Sequence, residues 1–223
     1  MGTTIQLTAK DGHKLDVYKA EPKGKAKGAV VVIQEIFGVN GNIRRIADQY
    51  AAAGYVAVAP ALFDRVGKGI DLGYGPDDFA KGRESRGKLT DDGIVADVQA
   101  AIDEAGKSGK VGIVGYCFGG TVVWMAACRC SGLSAASAYY GGQIVQLKDE
   151  SPKVPVQCHF GDKDGGIPLS AVHEIKQTHP DIPTFVYDDA GHGFCCDDRD
   201  SYNPGACQRA RERTLALFGQ HVG

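Results

Sequence analysis

In the stretch Val111-Gly112-Ile113-Val114-Gly115-Tyr116-Cys117-Phe118-Gly119-Gly120 a cysteine stands between two glycines at the spacing Gly-x-Cys-x-Gly. A β-branched run precedes it and a helical pattern follows. Cys117 is therefore expected on a tight strand-to-helix turn, a nucleophile elbow with a thiol in the serine position. That turn is strained, and a side chain at either flanking position would meet neighbouring backbone, which is why glycine is needed there. The turn lifts the sulfur clear of the sheet and sets it at a helix N-terminus, where the dipole and free N–H groups favour thiolate over thiol. The N–H of Phe118 is then placed to donate to an oxyanion.

A nucleophile of this kind needs a base, and the base needs an orienting acid. Asp164, in Gly161-Asp162-Lys163-Asp164, and His192, in Gly191-His192-Gly193-Phe194, each follow a predicted strand. The order nucleophile, acid, histidine is that of an α/β-hydrolase triad, with its groups at the carboxyl ends of strands. Asp162 is the competing acid; it suits a turn-capping role, and Asp164 sits deeper in the loop. His13, His159, His173, His179 and His221 lie in hairpin, strand, helix or terminal contexts, where surface or satisfied-core roles fit. A further constellation, Gln34-Glu35-Ile36-Phe37-Gly38, follows the first buried strand. This is the loop that supplies the second oxyanion donor, here the N–H of Ile36. Glu35 is a carboxylate at the end of an apolar strand, an expensive place without a partner. Either it pairs with Arg44 or Arg45, or it is poised beside Cys117 to handle its proton.

The elements that must position these groups can be read from periodicity. Continuous β-branched runs at 29–33, 55–59, 111–115 and 154–160 read as buried strands, and 184–187 as another. Residues 4–8 and 14–18 around Asp11-Gly12 read as a hairpin. Ile43, Ile46, Ala47 and Tyr50 form a helical stripe, as do Ile94, Val95, Val98, Ala101 and Ile102. Further helices are expected from Phe118 and through Ala206, Ala210, Leu217 and Phe218. Strand alternating with helix gives an α/β fold: a mainly parallel central sheet with helices on both faces and an antiparallel N-terminal hairpin. The Gly-rich, charged segment 63–92 reads as a long surface excursion, with a short helix near 79–89, of the kind that forms lids or pocket walls.

The chain has 223 residues, 43% of them hydrophobic and 23% charged, which excludes a disordered chain. A single domain, 1–223, is expected. Lys plus Arg is 25 against 27 Asp plus Glu, a net charge of −2, which leaves no electrostatic footprint for nucleic acid or an anionic membrane. No apolar run is long enough to span a bilayer, and no signal segment is visible at the N-terminus, so a cytoplasmic location is expected. Seven cysteines cannot all pair within one chain, and reduced thiols are the expected state. Cys128-Arg129-Cys130 and Cys195-Cys196 lack the spacing of a zinc knuckle, so no metal site is expected.

Gln34-Glu35-Ile36-Phe37-Gly38, Gly115-Tyr116-Cys117-Phe118-Gly119-Gly120, Tyr139-Tyr140-Gly141, Gly161-Asp162-Lys163-Asp164 with Ile167-Pro168, and Gly191-His192-Gly193-Phe194 occur together in the order and spacing of the dienelactone hydrolase family, which this sequence resembles. The resemblance implies a Cys117–His192–Asp164 triad on an α/β-hydrolase fold. It implies hydrolysis of 4-carboxymethylenebut-2-en-4-olide to maleylacetate through a thioester, with no cofactor. Glu35 matches the glutamate that partners the cysteine; in the family the resting thiol is neutral, and substrate binding swings the glutamate to deprotonate it. The resemblance also implies two arginines that hold the substrate carboxylate. One belongs a few residues after the histidine, where this chain has Cys195, Cys196, Asp197 and Asp198, with Arg199 beyond them; the other belongs in the excursion, where Arg83 and Arg86 are available. Phe37, Tyr139, Tyr140 and Phe194 complete the expected substrate-binding set, although aromatics in such places also serve as core. The expected partner is a small-molecule ester or lactone, and the expected assembly a monomer or weak homo-oligomer. Two rival readings stand beside this one. A thiol-based redox or sensor protein would account for the cysteine count, and a broader carboxylesterase would account for the displaced arginine.

Overall fold

The structure, a computed structural model, describes residues 2–223. Asp11-Gly12 turns the chain as its residue types predict. Gly12 takes φ 85°, in the left-handed region open to glycine, and its N–H donates to the Ala9 carbonyl at 2.8 Å. The turn joins β1 (Thr3–Thr8) to β2 (Lys14–Ala20) in antiparallel register, Thr3 opposite Lys19 and Thr8 opposite Lys14. The chain then alternates strand and helix: β3 (Ala29–Ile33), α1 (Gly41–Ala52), β4 (Val56–Pro60), α2 (Pro76–Gly87), α3 (Asp91–Gly106), β5 (Val111–Tyr116), α4 (Phe118–Arg129), β6 (Leu133–Tyr139), β7 (Val156–Gly161), α5 (Leu169–Thr178), β8 (Thr184–Tyr187) and α6 (Pro204–His221).

The eight strands form one sheet in the order β1-β2-β4-β3-β5-β6-β7-β8. β2 meets β4 antiparallel, and every pairing from β4 to β8 is parallel. Every residue of β3, β4, β5 and β7 is buried, which is why these strands read as continuous apolar runs rather than alternating ones. A Cβ at Gly112 would press on Phe218 of α6, and one at Gly115 on Val123 of α4. The two helices therefore cover opposite faces of the sheet. Tyr50 of α1 packs against Phe218 on the first face. This is the α/β-hydrolase fold. Among the described residues no helix is long and apolar enough to cross a membrane.

The excursion before α3 is a wall. It opens with a 3-10 turn at Leu62–Arg65 and continues into α2, whose start at Pro76 suits proline at a first helical position. Gly82 lies so close to the Ile36 carbonyl that any Cβ there would collide with it, so α2 is seated directly on the Glu35–Phe37 loop. Two elements have no counterpart in the sequence reading, β6 and α5. The expectation of reduced thiols throughout is also corrected. Cys195 and Cys207 form a disulfide, because the loop after His192 folds back onto the first turn of α6 and brings their Cα atoms to 4.8 Å; the other five cysteines are free.

Candidate active site

β5 ends at Tyr116 and α4 begins at Phe118, leaving Cys117 alone on the turn at φ 57°, ψ −116°. A positive φ on a non-glycine residue is a strained conformation that the surroundings must hold. Here the Cys117 N–H donates to the Tyr139 carbonyl at 3.0 Å, and its carbonyl accepts from Gly120 at 2.9 Å. The flanking glycines are sterically required. A Cβ on Gly119 would stand 2.6 Å from the carbonyl oxygens of Ile33 and Gln34, and one on Gly115 would strike the Gly119 carbonyl. Cys117 opens onto a cavity of about 440 Å³ lined also by Ile36, Phe118, His192, Arg83, Arg86 and Arg199. Among the described residues the N–H groups of Ile36 and Phe118 donate to no backbone carbonyl.

His192 follows β8 and Asp164 follows β7, at the carboxyl end of the sheet. The imidazole Nδ1–H donates to Asp164 Oδ2 at 2.7 Å, and Asp164 Oδ1 accepts from the N–H groups of Gly166 and Ile167 at 2.9 and 3.1 Å. The carboxylate is thereby fixed, with both oxygens occupied and its side chain shut off from solvent. Asp162 does not reach the histidine; its Oδ2 lies 3.3 Å from Lys163 Nζ. Burial pulls the His192 imidazole down, but Asp164 and Cys117 outweigh it and push it up to about 10.

Glu35 is fully buried and does not meet Cys117 through a hydrogen bond. Its Oε2 accepts from Tyr74 Oη at 3.3 Å and from Asn42 Nδ2 at 3.4 Å. Its Oε1 accepts no hydrogen bond and lies 3.7 Å from Arg199 Nη1. Burial raises its pKa, while the charges of Arg199 and His192 work against that rise. The partner is neither arginine expected from the sequence. Arg44 pairs with Asp71, and Arg45 with Asp197 and Asp198. Arg199 is steered to its place by the bend at Gly193, where φ is 79° and a Cβ would strike the guanidinium. The guanidinium then lies over the rings of Phe79 and Tyr74 at 5.4 and 6.0 Å.

Arg83 and Arg86 line the same cavity, Arg86 with its guanidinium 4.8 Å from the centre of the Phe118 ring. The four aromatic residues do not line it. Phe37 is buried edge-on against Tyr74 and Phe79. Tyr139 bonds Thr214 at 2.7 Å, Tyr140 packs 5.2 Å from the His192 ring, and Phe194 lies buried between Tyr140 and Tyr187. All four are buried, Tyr139 at the end of β6 and the other three in the loops around the site. Sequence reasoning missed Asn42 and Tyr74. The available signal was the demand itself, since a buried carboxylate calls for donors from whichever loops reach it. Among the described residues no three His, Cys, Asp or Glu side chains converge to hold a metal ion.

Residues 15–222 match the model of the dienelactone hydrolase family. A Synechocystis protein provisionally named a carboxymethylenebutenolidase is 32% identical over 97% of this chain and 96% of its own length. The Pseudomonas putida carboxymethylenebutenolidase is 31% identical over 95% of this chain and 93% of its own. Among solved structures, a Klebsiella pneumoniae protein provisionally described as a dienelactone hydrolase superposes with a TM-score of 0.86 at 29% identity, covering 98% of this chain and 100% of its own. With the sheet order, the helices on both faces and a match that takes in nearly the whole chain, this hydrolase belongs to the dienelactone hydrolase family.

Proposed function

We propose that residues 1–223 act as one domain, a cysteine-dependent ester or lactone hydrolase whose substrate is a small anionic lactone of the dienelactone class. The observation that carries this reading is the convergence on one cavity of Cys117, on its strained turn, with His192 held by Asp164 and with the unengaged N–H groups of Ile36 and Phe118. In the reading, Cys117 attacks the ring carbonyl carbon as a thiolate beside the His192 imidazolium, and the carbonyl oxygen becomes an oxyanion held by the two N–H groups. Collapse of the tetrahedral intermediate breaks the ring C–O bond. The enol oxygen leaves with a proton from His192, and Cys117 is left as a thioester. A water that gives its proton to His192 then attacks the thioester, and the acid leaves as Cys117 is released. Arg199, with Arg83 and Arg86 on the same cavity, supplies positive charge for the substrate carboxylate. The reading places the enzyme in the cytoplasm.

Steady-state turnover of the dienelactone against p-nitrophenyl acetate tests the substrate class, with Cys117→Ala as the control for the nucleophile. A strong preference for the carboxylated lactone, and loss of both activities in the variant with its circular dichroism unchanged, is the expected result. Equal turnover of the two esters would instead mark a broad carboxylesterase, and full activity in Cys117→Ala would remove the thiol from the mechanism.

A further inference from the structure

The loop 193–203 carries Arg199 on its inner side and is tied down on its outer side. Cys196 N–H donates to the Gly193 carbonyl at 2.9 Å, Arg199 N–H to Cys196 at 3.2 Å and Tyr202 N–H to Arg199 at 3.0 Å, so the loop is a series of local turns. Two ties fasten its outer side to the rest of the protein. One is the pair of contacts from Arg45 of α1 to Asp197 and Asp198, at 2.7 and 2.6 Å, between side chains about half exposed. Exposed ion pairs of that kind hold weakly. The other is covalent, the Cys195–Cys207 disulfide to the first turn of α6. Both sulfur-bearing residues line a separate cavity of about 310 Å³ on the outer side, together with Arg45, Asp197, Tyr202 and Arg211, so a small thiol can reach the bond.

We propose that the Cys195–Cys207 disulfide sets the enzyme's preference for anionic substrates: it holds the loop so that Arg199 stands over the active-site cavity, and a dithiol reductant that opens it weakens recognition of the substrate carboxylate while leaving the triad in place. The inference rests on the reading of Arg199 as a carboxylate anchor. The reductant's thiolate attacks one sulfur of the crosslink and forms a mixed disulfide; its second thiol then closes on the first. Two electrons and two protons pass to the protein, which gains two cysteine thiols, and the reductant leaves as a cyclic disulfide. The ends of the loop do not depend on the crosslink. Phe194 is buried and its carbonyl accepts from Asn203 at 3.0 Å, and His192 is held by Asp164. The freedom gained on reduction therefore falls on residues 195–202, where Arg199 sits.

The test compares protein purified without reductant, the same protein after dithiothreitol, and Cys207→Ser, each assayed with the dienelactone and with p-nitrophenyl acetate. Thiol alkylation and intact mass count the free cysteines. The expected result is five free thiols before reduction and seven after it. KM for the lactone should rise about tenfold in both the reduced protein and Cys207→Ser, the scale of a loosened charge-assisted contact. Its kcat, and the kinetics with the neutral ester, should not change. Seven free thiols in the untreated protein would overturn the proposal, as would an unchanged KM on reduction or an equal loss with both esters. Arg199→Ala separates the inference from the reading beneath it. If that variant loses the anionic preference while reduction of the parent does not, the crosslink is excluded and the anchor stands. If it keeps the preference, the anchor falls and the crosslink's role falls with it.

Discussion

Replacing Asp164 by Asn removes a charge without removing the shape, and the surroundings make the effect calculable. The carboxylate accepts three hydrogen bonds, one from His192 and two from backbone N–H groups. An amide has one accepting oxygen, so Asn must turn its NH2 either toward the imidazole or toward the Gly166 and Ile167 donors. The first forces the ring into the tautomer whose Nδ1 accepts, and the second sets donor against donor. The charge is lost as well. A carboxylate and an imidazolium with charge centres about 4 Å apart attract by about 4 kcal/mol at an effective dielectric of 20. At about 1.4 kcal/mol per factor of ten, that is a loss of about a thousandfold in any step whose transition state carries an imidazolium. The assay is kcat with p-nitrophenyl acetate, together with the titration of the His192 ring followed by NMR from pH 5 to 10. In the parent the Asp164 carboxylate favours the imidazolium. In Asp164→Asn the pH midpoint should fall and kcat drop about a thousandfold, whereas Asp162→Asn should leave both nearly unchanged. A loss of less than tenfold in a folded Asp164→Asn protein would refute the assignment of the orienting acid.

Gly193→Ala adds a Cβ at φ 79° that also strikes the Arg199 guanidinium. The variant should lose about 1–2 kcal/mol in stability and raise KM for the anionic lactone more than for a neutral ester, read from urea unfolding and steady-state kinetics. His159 is buried between Tyr187 and Ser137, and burial, assisted by the charge of Arg213, pushes its imidazole down to about 3. The unfolded chain takes up a proton below about pH 6.5 and the native state does not, so stability present above that pH is lost as the pH falls, by about 1.4 kcal/mol per unit. His192 has the opposite sign, but its window lies above the unfolded value, so urea titrations at pH 6, 5 and 4 should show a slope shallower by that amount in His159→Gln.

What could be read from the sequence was whatever depends on local pattern. Ala29–Ile33 and Val111–Tyr116 are strands buried on both faces, and a continuous β-branched run has few other uses in a soluble protein. The elbow is legible because Gly115 and Gly119 are forced by the close approach of backbone on either side of Cys117. β6 was not, since Leu133-Ser134-Ala135-Ala136-Ser137-Ala138-Tyr139 carries small residues where a strand pattern expects branched ones. Its Ser137 is used instead in a buried network with His159, Gln157 and Thr214. α5 buries only Val172 and Ile175, too narrow a stripe to be noticed. The partners of Glu35 and the pairing of Cys195 were illegible for a different reason. Arg199 and Cys195 reach their partners through the fold of the 193–203 loop, and Tyr74 through that of the excursion before α2; no local periodicity encodes either.

Glu35 is fully buried. A carboxylate this deeply buried is stabilised by two long hydrogen bonds and by Arg199, and its Oε1 has no hydrogen bond at all. Burial already raises its affinity for a proton, and Arg199 is the first of the groups that lower it again. A substrate carboxylate that draws Arg199 to itself removes that support. Glu35 is then driven to take up a proton, and a neutral Cys117 thiol in the neighbouring site is a group that can give one. Binding of an unreactive anionic lactone analogue should therefore raise the ultraviolet thiolate absorbance of the parent. It should fail to do so in Glu35→Gln, whose amide accepts no proton, and that variant should lose activity with the anionic lactone more than with p-nitrophenyl acetate. A thiolate signal that is already complete without ligand, or one that rises equally in Glu35→Gln, would show that the proton leaves Cys117 by way of His192 alone.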